Sequence, residues 1–191
     1  AADQFDDLPF WSHFGRATVS RLRLTPGARV LDLCCGTGAS ALPAAEAAGP
    51  SGMVLGVDIT EALLARGRAK AAAAGLRHIT FERTAAEDLR FPPGSFDAVI
   101  SVFGLFFVED MAGLLSRAWS WLAPGGVMAI AAGGEGVLAP GEALFWDAVL
   151  RENASLKPKS HAGRLDTKDK ITAVFAEAGL AAPAIAHGHW D

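Results

Sequence analysis

The stretch Val30-Leu31-Asp32-Leu33-Cys34-Cys35-Gly36-Thr37-Gly38-Ala39-Ser40 decides the fold. It reads as an apolar strand running into a glycine turn, with a carboxylate near the strand's end. Glycine turns after strands commonly cradle phosphate. Here no Lys or Arg lies near the turn in sequence, and Asp32 does. Outward from this point, short β-like runs alternate with longer helical stretches. Residues 29–34, 53–58, 78–82, 97–102 and 127–132 read as strands, and Ala184 to His187 begins a sixth. Helices are predicted over 10–23, up to Ala48 with Pro43 confined to the first turn or marking a kink, and over 60–75, 109–122, 140–152 and 167–179. Thr60 and Thr167 are the expected N-caps of two of them. This alternation predicts a doubly wound α/β fold, a mostly parallel sheet with helices on both faces. Residues 1–28 form an N-terminal helical cap and residues 29–191 the ligand-binding domain.

The composition narrows the function. With 191 residues, 51% of them hydrophobic, the chain supports one substantial core. A net charge of −4, with scattered Lys and Arg, gives no footprint for nucleic acid. No apolar run is long enough to span a bilayer. The two cysteines, Cys34 and Cys35, are neighbours, spaced for neither a disulfide nor a metal. They are expected to be reduced packing thiols in a cytoplasmic protein with no metal site.

In an open parallel sheet the ligand lies beyond the carboxyl ends of the strands, so Asp32, the Gly36-Thr37-Gly38 turn and Asp58 gather there. Gly36 to Ala41 fits the dinucleotide pattern G-x-G-x-x-A, and Asp58 follows Gly38 at the distance of a ribose-binding acid. A nicotinamide-dependent oxidoreductase is therefore one reading. Asp32 opposes it, because a pyrophosphate beside that carboxylate meets like charge. S-adenosylmethionine removes the conflict: it carries an ammonium, a sulfonium and a ribose, and no phosphate. The other readings of the acids are structural, with Asp32 capping the turn and Asp58 capping the next helix.

VLDLCCGTG resembles the first motif of class I S-adenosylmethionine-dependent methyltransferases, written V-L-D-L-G-C-G-T-G. LGVDIT, AAEDLRFPPGSFDAVIS and WLAPGGVMAI resemble later motifs of that family in the same order, and the set covers about residues 29 to 132. The closest style is the small-molecule branch that includes quinone-biosynthesis enzymes. The resemblance implies a Rossmann-like fold, S-adenosylmethionine as cofactor, and methyl transfer to O, N, C or S of a small molecule. It implies cofactor contacts at Asp32, Cys34, Gly36, Gly38, Asp58, Ile59, Ala86, Glu87 and Phe103. A non-catalytic nucleoside-binding protein on the same fold is the remaining alternative.

Three departures from the family pattern carry expectations. Cys34 replaces a glycine, so its backbone is expected in the β region. Ala85 stands where relatives have an adenine-binding Asp, leaving Ala86 and Glu87, or Asp88, to read the base. Leu105-Phe106-Phe107 replaces a leucine-His-His run, which suggests an apolar acceptor face and removes a candidate base. Trp11, Phe14, Phe106, Phe107 and Trp146, with Phe10, are expected to border one acceptor cavity. No catalytic residue is assigned, and the chain contains no tyrosine to serve as a base. The family's sheet has a seventh strand that nothing after His187 supplies, and Trp190 is left without packing. The folded unit is therefore expected to continue past residue 191, or to cover the open edge with a partner copy as a homodimer.

Overall fold

The computed structural model describes residues 8–137 and 162–188, together with Asp147 and Arg151. Five strands form one sheet: β1 (Arg29–Leu33), β2 (Met53–Asp58), β3 (Ile79–Arg83), β4 (Phe96–Val102) and β5 (Leu122–Ala131). Their order is β3-β2-β1-β4-β5 and every pairing is parallel. The helices are α1 (Pro9–Leu22), α2 (Ala41–Ala48), α3 (Glu61–Ala73), α4 (Met111–Ser120) and α5 (Lys168–Glu177).

Both faces of the sheet are buried, which is why its strands read as nearly continuous apolar runs. On one face Val30, Val54, Ala98 and Ile100 pack with Val19 of α1, Ala44 of α2 and Leu64 of α3. On the other, Leu31, Leu33 and Val99 pack with Leu114 and Leu115 of α4 and Phe175 of α5. With eight residues, α2 is too short to be stable alone. It holds because Ala41, Ala44, Ala45 and Ala48 are all fully buried against the sheet. Pro43 sits in its first turn, where no helical N–H is lost. At the sheet's amino edge Arg29 donates to Asp97 from its backbone N at 2.8 Å, Nε at 3.1 Å and a terminal nitrogen at 2.9 Å. That contact holds the Asp97 carboxyl below the usual carboxylate range.

Two expectations change. The run Ala184 to His187 is irregular, not a strand, and among the described residues nothing pairs with the outer side of β5. β5 also begins at Leu122 instead of Val127, its register shifting between Phe96 and Ala98, so the Pro124-Gly125-Gly126 turn lies within the strand. The predicted helix over 140–152 and Trp190 lie outside the described residues.

Candidate functional site

β1 pairs with β2 on one side and β4 on the other, so the chain switches direction across the sheet between β1 and β4. The carboxyl edge at that point holds the glycine turn and both acids. Asp58 ends β2 and accepts the Gly36 N–H through Oδ2 at 3.0 Å and the Thr60 N–H through Oδ1 at 2.8 Å. It thus ties the turn to the start of α3. Thr60 is the N-cap residue, as expected, but its hydroxyl makes no capping bond, and Asp58 holds it by accepting the Thr60 N–H. Ile59, next in the chain, is 66% exposed.

Asp32 is fully buried, at the end of β1. Its Oδ2 accepts from the Ser40 hydroxyl at 2.7 Å, a contact of the kind that the alternative, structural reading of this acid describes. Its Oδ1 has no hydrogen-bond partner among the described residues, and neither does the hydroxyl of buried Ser101 on β4. Burial raises the Asp32 carboxyl to about 7, against the lowering by the Ser40 bond and with a further push from the Asp58 charge.

The turn is not without a cation. Lys70 of α3 reaches it from 33 residues further on, its Nζ 3.0 Å from Thr37 Oγ1 and 3.3 Å from the Thr37 carbonyl. Helical folding brings in a charge that sequence proximity hides. Cys34 also departs from expectation: its φ is +56°, left-handed and not β. Such a conformation costs a non-glycine residue roughly 1–2 kcal/mol. The room for it comes from Gly104, where an added Cβ would lie 2.4 Å from the Cys34 Cβ. Burial pushes the Cys34 thiol up to about 12, helped by the charges of Asp58, Asp32 and Glu87, and raises Cys35 well above its ordinary range. Both remain thiols at neutral pH, which fits packing roles.

Other predicted residues divide. Ala86 is buried in a 3-10 turn (Ala86–Asp88), and Glu87 accepts the Glu109 N–H through Oε1 at 3.2 Å. Phe103, just past β4, is also left-handed at φ +54°. Its ring lies 5.0 Å from Phe10, 5.9 Å from Trp11 and 5.4 Å from Phe14, centroid to centroid. The α1 aromatics therefore gather on Phe103. Phe106 is packed in the core, while its neighbour Phe107, 4.8 Å away, is 64% exposed. Trp146 lies outside the described residues.

Sequence reasoning missed three residues. Lys70, on Thr37, and Arg164, which donates to the Phe106, Val108 and Glu109 carbonyls after β4, act through backbone or turn atoms that leave no motif. Ser101 did leave a signal, a lone hydroxyl near the end of the otherwise apolar run Ala98-Val99-Ile100-Ser101-Val102.

A glycine turn and two strand-end acids thus meet at the switch point of a parallel α/β sheet, the edge where such sheets bind their ligands. The chain belongs to the methyltransferase domain family, whose profile matches residues 30–126, just over half of it. S-adenosylmethionine is the cofactor that the resemblance of its motifs implies. It is 38% identical over 122 residues to aklanonic acid methyltransferase DauC of Streptomyces sp. strain C5, covering 64% of this chain and 56% of that one. It is 39% identical over 114 residues to a demethylmenaquinone methyltransferase of Listeria monocytogenes, covering 60% and 48%. The chain thus spans about half the length of these curated relatives. An S-adenosylmethionine-dependent methyltransferase from Mesorhizobium loti superposes with a TM-score of 0.53 at 36% identity, covering 61% of this chain and 52% of that one. A methyltransferase from Aquifex aeolicus superposes over 93% of this chain and 86% of its own with a TM-score of 0.69. At 16% identity it shows the shared fold alone.

The residues present fit that cofactor. Asp32 Oδ1 and Ser101 Oγ are buried polar atoms still lacking partners, and an unsatisfied buried acceptor favours a cationic or donor group beside it. No atom lies within 4 Å of where a Gly36 Cβ would be, so a ligand can approach the turn's backbone.

Two predictions arise at this edge. Gly104→Ala should cost about 1–3 kcal/mol through overpacking against Cys34. The cost should largely vanish beside Cys34→Gly, a coupling of at least about 1 kcal/mol in urea denaturation. Additive effects would show that the two positions are independent. The second concerns pH. Asp32 has a folded pKa of about 7 against 3.8 for the free side chain, so between those values the ligand-free fold holds a proton that the unfolded chain lacks. Its contribution to stability is complete below 3.8 and is lost as pH rises through about 7. Asp32→Asn should remove that slope from the denaturation profile, and an unchanged slope would assign it to other groups.

Proposed function

We propose that the protein transfers the methyl group of S-adenosylmethionine to an apolar, quinone-like small molecule. The observation that carries this reading is the pairing of two acids at one sheet edge, Asp58 tied to the turn backbone and Asp32 buried with an oxygen unsatisfied. In this reading Asp58 accepts from both ribose hydroxyls, and Ile59, Ala86 and Glu87 border the adenine. The backbone of Cys34, Gly36 and Gly38 allows close approach of the nucleoside. Ionised Asp32 faces the cationic portion of the cofactor, with Phe103 near the methyl group. Trp11, Phe14 and Phe107 line the acceptor side, and Phe106 supports them from the core.

The cofactor supplies a methyl group already activated on a sulfonium. The chain's contribution is to hold donor and acceptor in line and to exclude water with aromatic surface. The relatives' names, aklanonic acid and demethylmenaquinone methyltransferase, support an acceptor of this type. Among the described residues no helix is long and apolar enough to cross a membrane. We place the protein in the cytoplasm, where its thiols stay reduced, with no nucleic-acid partner. We also assign it a homodimer through the side of β5 that is unpaired among the described residues, which light scattering at a monomer mass would reject.

Calorimetric titration with S-adenosylhomocysteine and with NAD tests the cofactor, and transfer of a radiolabelled methyl to a panel of hydroxynaphthoquinols tests the acceptor. Tight binding of the first ligand and labelling of at least one quinol are expected. Preference for NAD would restore the oxidoreductase reading. Binding without any transfer would favour a non-catalytic nucleoside-binding protein.

A further inference from the structure

The connection from β4 to α4 is held from outside the motif region by one side chain. Arg164, in a 3-10 turn (Ala162–Arg164) shortly before α5, donates to the carbonyls of Phe106 at 3.0 Å and Val108 from one terminal nitrogen. Its other terminal nitrogen donates to the Glu109 carbonyl at 2.8 Å. A planar guanidinium can serve three carbonyls at once, which a lysine ammonium on a flexible stem cannot match in geometry. The same segment is fastened at the other side, where the Glu109 N–H donates to Glu87. Residues 105–109 are therefore strung between the turn carrying Glu87 and the start of α5. They follow Phe103 directly and carry exposed Phe107.

We infer that Arg164 is a positioning residue for the acceptor side of the site. It fixes the segment 105–109 through the Phe106, Val108 and Glu109 carbonyls and so sets where Phe107 stands relative to Phe103. Among the described residues its hydrogen bonds go to these carbonyls and to neither the glycine turn nor Asp58, so its effect falls on the acceptor and not on the cofactor. This rests on the methyl-transfer reading above.

The test compares Arg164→Gln and Arg164→Lys with the unaltered protein in three measurements. In Arg164→Gln, amide hydrogen exchange at Phe107 and Val108, whose N–H groups bond to Gly104 and Leu105, should accelerate at least tenfold. Affinity for S-adenosylhomocysteine should stay within about threefold. With a labelled hydroxynaphthoquinol, the acceptor KM should rise at least tenfold while the S-adenosylmethionine KM holds, and Arg164→Lys should recover part of both losses. Unchanged exchange at the two amides overturns the proposal. A parallel loss of S-adenosylhomocysteine affinity also overturns it, because Arg164 would then serve the whole fold or the cofactor site. Failure of the unaltered protein to bind S-adenosylhomocysteine would instead sink the methyl-transfer reading itself.

Discussion

Asp58→Ala should weaken S-adenosylhomocysteine binding by at least about tenfold in calorimetry, and by about a hundredfold if both ribose contacts form. A hydrogen bond to a charged group contributes roughly 1.5–3 kcal/mol, and each 1.4 kcal/mol is a factor of ten in affinity. The carboxylate does a second task, since it accepts the Gly36 and Thr60 N–H groups and so fixes the turn before any ligand arrives. Removing it loosens the turn as well as deleting the acceptor. Asp58→Asn keeps one carbonyl oxygen and should fall between the two. Unchanged affinity in Asp58→Ala would remove this residue from the binding site.

The second large effect is steric. Gly15 lies on the face of α1 that meets the turn before α2, and an added Cβ there would fall 2.0 Å from the Ala39 carbonyl oxygen and 2.5 Å from its carbon. The obstacle is backbone and has no rotamer to move aside. Gly15→Ala gains about 1 kcal/mol of helix propensity, yet should destabilise the protein by about 2–4 kcal/mol, because α1 must lift away from Ala39. Trp11 travels with α1 and packs against Phe103. Its fluorescence should therefore shift with the lower urea midpoint. An unshifted emission and an unchanged midpoint would show that α1 docks elsewhere.

The fold was largely legible because a parallel sheet buried on both faces writes itself as apolar runs separated by capped helices. Met53–Asp58 is found with the predicted bounds, and Thr167 caps α5 as expected, accepting from the Lys170 N–H at 3.3 Å. The family followed from motifs in order, since backbone approach at a glycine turn restricts residue choice locally. What stayed hidden depends on distant partners. The left-handed Cys34 is permitted only because Gly104 leaves the space. Ala184 to His187 has strand composition, but a strand needs a paired neighbour that composition does not reveal. The acceptor aromatics were grouped by chain position alone, whereas packing set Phe103 at the centre and sent Phe106 into the core.

The strand order also fixes which pairings become available as the chain is synthesised. β1, β2 and β3 lie side by side and are complete once residue 83 has been made, so they can pair as a growing sheet while the rest of the chain is still unmade. At that stage β1 is an edge. Its second neighbour, β4, begins only at Phe96, and pairing there requires closure of a loop of about seventy residues, secured at its base by Arg29 and Asp97. Asp32 lies on the strand that this closure covers, paired in register with Ile100 of β4. Burial of the carboxylate thus depends on β4, the strand that turns β1 from the border of a three-stranded sheet into the middle strand of a five-stranded one.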